Sequence, residues 1–349
     1  MIPINKKISV LHPYVNKKWW AVKMMIYLSN LLQEKWNNIT LYTFSYNKEL
    51  FSSEIWFKVN SFNFIKIAYL IRNSDYIIIW NSPMHFVWVV SKIFFFSSAK
   101  LIWWHHHYPW YYSKHTNVFT LFKRYLEKFS IIFIDSIISN SLYLKKSLEK
   151  IYKIKTKILY PVMDKQFLEY EYKNKNFNSN TIFTYSRWVE WKNLKQIFTT
   201  YDFLKDKVSN LKLIIWWVWE DLDSYKDKYK KDNQVLFLWL LDQKSIISNL
   251  EQSNVFLFPS KIDSFWITVL ESMSIWVPVV TFNINWVKEL VENNVSWFLV
   301  NSETEFSEKV YSILENKELN KKLSKNCYNI TNRFSNLEFE RQLEKIFKQ

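Results

Sequence analysis

Charged residues follow two of the apolar segments of this chain, and their types suit phosphate and hydroxyl groups. Arg187 and Lys192 come directly after the apolar run at 182–185. Two cations on one loop can neutralise the negative charge of a phosphate group. Asp263 and Glu271 follow a second apolar run, and a carboxylate can accept two hydrogen bonds from a diol. Residues of these types can bind a phosphorylated ligand that carries hydroxyl groups.

The second unusual feature is the absence of glycine from all 349 residues, against 19 tryptophans. A chain of this length ordinarily holds about 24 glycines, at roughly 7% usage. Trp36 and Trp276 stand where helical runs end, a position usually taken by glycine in a left-handed conformation. Trp297 is placed in a third turn, before an apolar strand. A bulky side chain in a left-handed conformation costs about 1–2 kcal/mol.

We therefore interpret most of these tryptophans as glycines in the living protein. A gene that uses UGA for glycine, translated as if UGA meant tryptophan, would give this sequence. The alternative is a protein that is truly rich in tryptophan. Trp103, Trp104 and Trp110 are interpreted as genuine, because they lie in an aromatic segment, and Trp191 is ambiguous.

Composition narrows the class of protein. The net charge of +15 attracts phosphates of nucleotides, anionic lipids or nucleic acid, but the lysines are too dispersed for a nucleic-acid stripe. Cys327 is the only cysteine, which fits a reducing compartment, and the start of the chain lacks the apolar core of a signal peptide. We expect a cytoplasmic protein.

The apolar segment 84–96 is either a buried helix or one at a membrane interface. A helix at the membrane interface would place the protein on the inner face of the membrane.

Strand-like and helical segments alternate along the chain, which predicts α/β architecture with parallel sheets and helices on both faces. The predicted domains are 1–163, a linker at 164–180, a second domain at 181–325 and a C-terminal helix at 326–349. The predicted strands are 8–11, 39–44, 76–79, 100–103 and 136–139 in the first domain, and 182–185, 211–215, 235–238, 255–258 and 278–282 in the second. Ligands bind at the carboxyl ends of such strands.

The segment from Asp263 to Glu271 resembles the signature of the family 4 retaining glycosyltransferases, which have the GT-B fold. That signature is an acidic residue, seven residues and a glutamate, with Phe-Gly between them; here Trp266 stands for the glycine. Trp276-Val277-Pro278-Val279-Val280 resembles the Gly-x-Pro-Val-Val turn that follows. The segment 185–193 resembles the family's Gly-Arg…Lys-Gly/Asn loop. The family usually has glutamate at the position of Asp263.

This resemblance implies roles for the residues above. Arg187 and Lys192 would grip the donor diphosphate, Glu271 the ribose diol and Asp263 the hydroxyls of the donor sugar. Trp266 as glycine would let the backbone approach the donor, and the first helical residues, Ile267 and Thr268, would offer N–H groups to negative charge. Trp20, again as glycine, would lie in a loop near the diphosphate and the acceptor. The C-terminal helix would cross back to the first domain, and a cleft would separate two Rossmann-like domains.

Three adjacent histidines, at 105–107, follow the strand predicted at 100–103. His107-Tyr108-Pro109 resembles the His-aromatic-Pro step of family 4 mannosyltransferases that act on lipid-linked oligosaccharides, in which a histidine contacts the donor sugar. This implies His107, with His106 as the second choice. A metal site is the alternative. We expect none, because consecutive strand residues point to opposite faces and no cysteine or acidic residue lies beside them in the sequence.

The sequence thus predicts a retaining hexosyltransferase (EC 2.4) with a GT-B fold. The expected donor is a nucleotide-diphosphate sugar, and the expected acceptor is a glycan or lipid-linked sugar of cell-envelope polysaccharide synthesis, without a cofactor and without nucleic acid. One alternative is a sugar-nucleotide epimerase, which requires additional acid/base carboxylates. Another is a binding protein that keeps the fold without turnover.

Overall fold

The chain folds into two compact units, Met1–Val162 with Asn336–Gln349, and Met163–Ser335. Both units are α/β. The computed structural model describes residues 2–16, 20–51, 53–61, 73–80, 97–106, 118–173, 175–186, 192–217, 223–239, 242–261, 267–284, 289 and 295–347.

The first unit is built on a parallel sheet of seven strands among the described residues, in the order β5-β3-β1-β6-β7-β8-β9. Its strands are β1 (Lys7–Leu11), β2 (Tyr14–Val15), β3 (Asn38–Thr43), β4 (Ser45–Tyr46), β5 (Lys58–Ser61), β6 (Tyr76–Trp80), β7 (Lys100–His105), β8 (Ser136–Ser139) and β9 (Thr156–Ile158), of which β2 and β4 pair separately. Its helices are α1 (Trp20–Glu34), α2 (Lys48–Phe51), α3 (Val118–Ile131) and α4 (Leu142–Tyr152). The inner strands β1 and β6 are apolar and mostly buried, because helices cover the faces of a parallel sheet.

The second unit has a parallel sheet of six strands among the described residues, in the order β12-β11-β10-β13-β14-β15. The strands are β10 (Thr181–Tyr185), β11 (Lys212–Trp217), β12 (Val235–Trp239), β13 (Val255–Phe258), β14 (Val279–Phe282) and β15 (Trp297–Val300). The helices are α5 (Lys165–Leu168), α6 (Leu194–Leu204), α7 (Asp223–Tyr229), α8 (Gln243–Glu251), α9 (Ile267–Ser274), α10 (Glu303–Glu315) and α11 (Lys317–Thr331). The order of strands reverses between β10 and β13, and this is where such sheets bind ligands.

The strands predicted from the sequence are confirmed within one or two residues at either end. Several helices begin where a polar side chain caps the first turn. Ser141 accepts from the Leu144 N–H, and Asp242 from the Ser245 N–H. Apolar periodicity and capping residues therefore locate most elements of both sheets.

The unit boundaries differ from the predicted domains in two places. The polar stretch 164–180, predicted as linker, belongs to the second unit and contains α5, because the Phe167 side chain is buried there. The final helix, α12 (Asn336–Phe347), is shorter than the predicted 326–349, since α11 runs to Thr331. It belongs to the first unit, where Phe339 packs edge-on against Tyr27 with ring centroids 5.4 Å apart.

Two helices end in a Schellman motif with tryptophan at the glycine position. At the end of α1, the Trp36 N–H donates to Gln33 O and the Asn37 N–H to Leu32 O, and Trp36 has φ of 64°. The sequence prediction of a left-handed residue at the helix end is confirmed here.

The end of α9 repeats the pattern. The Trp276 N–H donates to Met273 O and the Val277 N–H to Ser272 O, and Trp276 has φ of 61°. The indole Nε1 of Trp276 is buried without a hydrogen-bond partner, a state that costs about 1–3 kcal/mol.

The prediction for Trp297 is wrong. Trp297 is the first residue of β15, pairs with Val279 of β14 and has a fully buried side chain. Its place in the sheet explains its extended backbone. Trp216 lies within β11 and Trp239 at the end of β12, and neither is among the residues with positive φ.

Candidate functional site

A pocket opens at the carboxyl ends of β10 and β13, where the strand order of the second unit reverses. Its lining residues are Thr184, Ser186, Lys192, Ile197, Phe258, Pro259 and Ser260. The Thr184 Oγ1 donates to Leu257 O across 2.9 Å, which ties the two strand ends together. The pocket therefore lies at the position where the topology favours a ligand.

Lys192 supplies positive charge to this pocket. It lies in the loop before α6, and its Nζ is 4.8 Å from the centroid of the Phe258 ring. The next residue, Asn193, has φ of 52°, a conformation that asparagine tolerates well. Arg187, its predicted partner, lies outside the described residues. The described part of the loop thus brings a cation to the strand end, as the sequence predicts.

Glu271 lies on α9 and is fixed by a tyrosine that sequence reasoning missed. The Tyr185 hydroxyl donates to Glu271 Oε2 across 2.6 Å, and Tyr185 is the last residue of β10. Burial, reinforced by the charge of Glu271, raises the pKa of Tyr185 well above its usual value, so the phenol keeps its proton. The carboxylate is therefore bound to the same strand end that forms the pocket.

Two of the remaining predicted donor residues lie at the start of α9. Ile267 and Thr268 are its first two residues and are partly buried. Asp263 and Trp266 lie outside the described residues. In the first unit, Trp20 is the first residue of α1.

His106 is packed inside the first unit. Its ring stacks on Trp80, with centroids 4.6 Å apart, and on Trp104 at 5.0 Å. Only 2% of His106 is exposed. His107, the first choice for contact with a donor, lies outside the described residues. Trp103 and Trp104, interpreted as genuine, are fully buried in β7.

The neighbouring His105 has a buried acidic partner. Its Nε2 lies 3.4 Å from Glu127 Oε1, and both side chains are almost completely buried. Burial and the charge of Glu127 also raise the pKa of Tyr152. The sequence showed no acidic residue beside the histidines, because Glu127 reaches them from α3. Within the described ranges, no group of three or more His, Cys, Asp or Glu side chains could hold a metal ion.

The known proteins that this chain resembles in sequence are glycosyltransferases. Residues 168–330, which cover most of the second unit, match the family model "Glycosyl transferases group 1". A capsular polysaccharide biosynthesis glycosyltransferase, CapM of Staphylococcus aureus, is 25% identical over 53% of this chain and 50% of its own length. An uncharacterized glycosyltransferase of Methanocaldococcus jannaschii is 25% identical over 61% of this chain and 59% of its own length. The chain thus spans little more than half the length of the curated relatives it matches.

Solved structures match nearly the whole chain. Anabaena HepE, in complex with UDP and glucose, has a TM-score of 0.78 at 17% identity and covers 97% of this chain and 98% of its own. WaaG, a glycosyltransferase involved in lipopolysaccharide biosynthesis, has a TM-score of 0.75 at 10% identity and covers 98% and 100%. These neighbours are GT-B glycosyltransferases, and the predicted fold class is confirmed.

Proposed function

We propose, from the group 1 domain at residues 168–330, that this chain is a retaining glycosyltransferase. It would move a hexose from a nucleotide-diphosphate sugar to a glycan or lipid-linked acceptor in cell-envelope polysaccharide synthesis. One observation carries the proposal: Lys192 lines a pocket at the reversal of the strand order, and Tyr185, the last residue of β10, donates to Glu271.

In this proposal the main requirement for catalysis is to stabilise the negative charge that develops on the leaving diphosphate. Lys192, with Arg187, would neutralise that charge as the bond to the sugar breaks. The leaving phosphate would accept the proton of the acceptor hydroxyl, so that no protein nucleophile and no bound metal or cofactor is required. The half-buried position of Lys192 beside Phe258 supports this role, since a cation acts more strongly where water is scarce.

The roles proposed for the other residues that would contact the donor are based on their side-chain chemistry. Glu271 would accept hydrogen bonds from the ribose diol. Asp263 would bind the sugar hydroxyls, and the N–H groups at Ile267 and Thr268 would face negative charge. His107 would contact the donor sugar, whereas His106, the second choice, is only 2% exposed and stacks on Trp80 and Trp104. The neighbour HepE was solved with UDP and glucose, which supports a nucleotide-sugar donor.

The tryptophans at glycine positions belong to the same proposal. We infer that the living protein has glycine at most of them, including 20, 36, 266 and 276, because UGA is read as glycine. The left-handed backbone and Schellman bonds at Trp36 and Trp276 support this. Trp297 gives it no support, since it is an extended residue of β15.

Attachment to an anionic membrane is the third part of the proposal. Segment 84–96 lies outside the described residues, but α3 supports the idea. Its exposed side chains include Phe122, Tyr125 and Phe129, at 57%, 73% and 45% exposure, beside the exposed Lys128. An apolar face with basic residues suits the surface of an anionic bilayer. No helix in the described part of the chain is long and apolar enough to cross a membrane.

The test is to incubate the glycine-restored chain with a panel of nucleotide-diphosphate hexoses and to follow the sugar by proton NMR. The proposal predicts release of nucleoside diphosphate with retention at the anomeric carbon, by slow hydrolysis or by transfer to an added glycan. Conversion to an epimeric sugar nucleotide would favour the epimerase. Binding of the donor without turnover would identify a non-catalytic protein.

A further inference from the structure

Tyr185 is placed to control how Glu271 meets a ligand. Its hydroxyl is 2.6 Å from Glu271 Oε2, a distance typical of a hydroxyl bound to a charged carboxylate. The two residues are 86 positions apart in the chain, on β10 and α9. The bond therefore joins the pocket-forming strand to the helix that carries the carboxylate.

The tyrosine itself is held firmly. Only 3% of Tyr185 is exposed. Its ring packs edge-on against Phe256, with centroids 5.3 Å apart, and stacks on Phe183 at 5.4 Å. Rigid neighbours leave the phenol one direction in which to donate, so the bond sets the orientation of the carboxylate.

We propose that Tyr185 is a positioning residue, which orients Glu271 toward the vicinal hydroxyls of a bound nucleoside diphosphate. This inference rests on the proposed function, because it takes the ribose diol as the ligand of Glu271. Tyr185 holds Oε2, and a carboxylate has lone pairs for further donors. With its rotation restricted, the carboxylate receives the two hydroxyls at a smaller loss of conformational entropy.

The same unit contains a matched control. The Tyr201 hydroxyl donates to Asp232 Oδ2 across 2.8 Å, and Tyr201 is 2% exposed. Tyr201 lies on α6 and does not line the pocket. Tyr185→Phe and Tyr201→Phe each remove one buried phenolic donor to a carboxylate, but only the first removes it from Glu271.

The experiment measures binding by the glycine-restored chain and by the same chain with either substitution, using isothermal titration calorimetry. The probes are UDP, ADP, GDP and CDP, then the 2′,3′-dideoxy form of the nucleotide that binds most tightly. We expect Tyr185→Phe to weaken binding of that nucleotide about tenfold, which corresponds to the cost of ordering one side chain on binding. It should leave the affinity for the dideoxy form unchanged, and Tyr201→Phe should change neither.

An equal loss for the ribose and dideoxy forms would overturn the inference, because it would mean a general distortion of the pocket. An unchanged affinity for both would overturn it as well. In either case the unaltered chain still binds a nucleoside diphosphate, and the proposed function stands. A chain that binds none of the four diphosphates would contradict the inference and the proposed function together.

Discussion

Trp36 and Trp276 lie in different units and occupy the same position of the same helix-ending motif, with φ of 64° and 61°. Glycine is the usual residue at that position because it has no Cβ to clash with the following carbonyl oxygen. Five other described residues have positive φ. They are four asparagines and a lysine: Asn5, Asn180, Asn193, Asn210 and Lys153. The tryptophans are therefore the unusual members of this set.

Trp36→Gly is expected to stabilise the chain by about 1–2 kcal/mol, the steric cost of a Cβ in the left-handed region. Trp36 is 82% exposed, so removal of its indole sacrifices little packing. The measurement is the free energy of unfolding in urea. Trp36→Ala is the control, since it removes the indole and keeps the Cβ. Equal stabilities for the two variants would show that the backbone at this position is not strained.

Substitution of Lys192 by Ala is expected to weaken nucleoside diphosphate binding about tenfold to a hundredfold, because a charged hydrogen bond contributes about 1.5–3 kcal/mol. Binding of the uncharged nucleoside should not change. Lys321→Ala is the control, since Lys321 is paired with Glu318 on the surface of α11. If nucleoside and diphosphate lose affinity equally, Lys192 does not act on the phosphates.

Lys175 should make the stability of the chain depend on pH. Its Nζ donates to Trp276 O across 3.0 Å, and burial lowers the pKa of Lys175 to about 7, against about 10.4 in an unfolded chain. Between these values the unfolded state binds more protons. The free energy of unfolding should therefore rise with pH from about 7 to about 10, by up to about 1.4 kcal/mol per unit.

Lys175→Met is expected to flatten that rise, measured by urea unfolding at several pH values. Lys321→Met, which removes an exposed lysine, should leave it in place. A rise that persists in Lys175→Met would assign the pH dependence to other groups.

The exposed face of α3 is expected to bind anionic vesicles at low salt. Replacing Phe122 and Tyr125 by Ser should reduce co-sedimentation with phosphatidylglycerol vesicles severalfold, because buried apolar area contributes to such binding. Leu337→Ser is the control, since Leu337 is 79% exposed on α12. An equal effect of the control, or no binding by the unaltered chain, would refute attachment through α3.

The sequence predicts local features well and long-range pairs poorly. Apolar runs locate β10 and β13, and the cation and carboxylate that follow them reach the same end of the sheet because parallel strands share an edge. The partner of Glu271 could not be predicted, since Tyr185 looks like one more apolar strand residue. Glu127 could not be predicted as the partner of His105 for a similar reason. The two residues come together only in the folded chain, and no local motif indicates that they pair.

Trp297 shows the limit of turn patterns. Polar residues before an apolar strand indicate a turn, but they do not fix which residue is the first to pair. Here pairing with Val279 starts at Trp297 itself. At Trp36 and Trp276 the helix end is marked from both sides, by apolar periodicity before it and by a polar residue or proline after it, and the prediction holds.

The central proposal is that the living protein has glycine at most of the tryptophan positions, which would leave room for the donor. Mass spectrometry of the protein from its own cells tests this proposal most directly. The peptide to measure spans residues 262–288, which includes positions 266, 276 and 286. Glycine masses at all three positions are the predicted result. Tryptophan masses there would contradict the recoding and would leave a bulky side chain in the segment proposed to meet the donor.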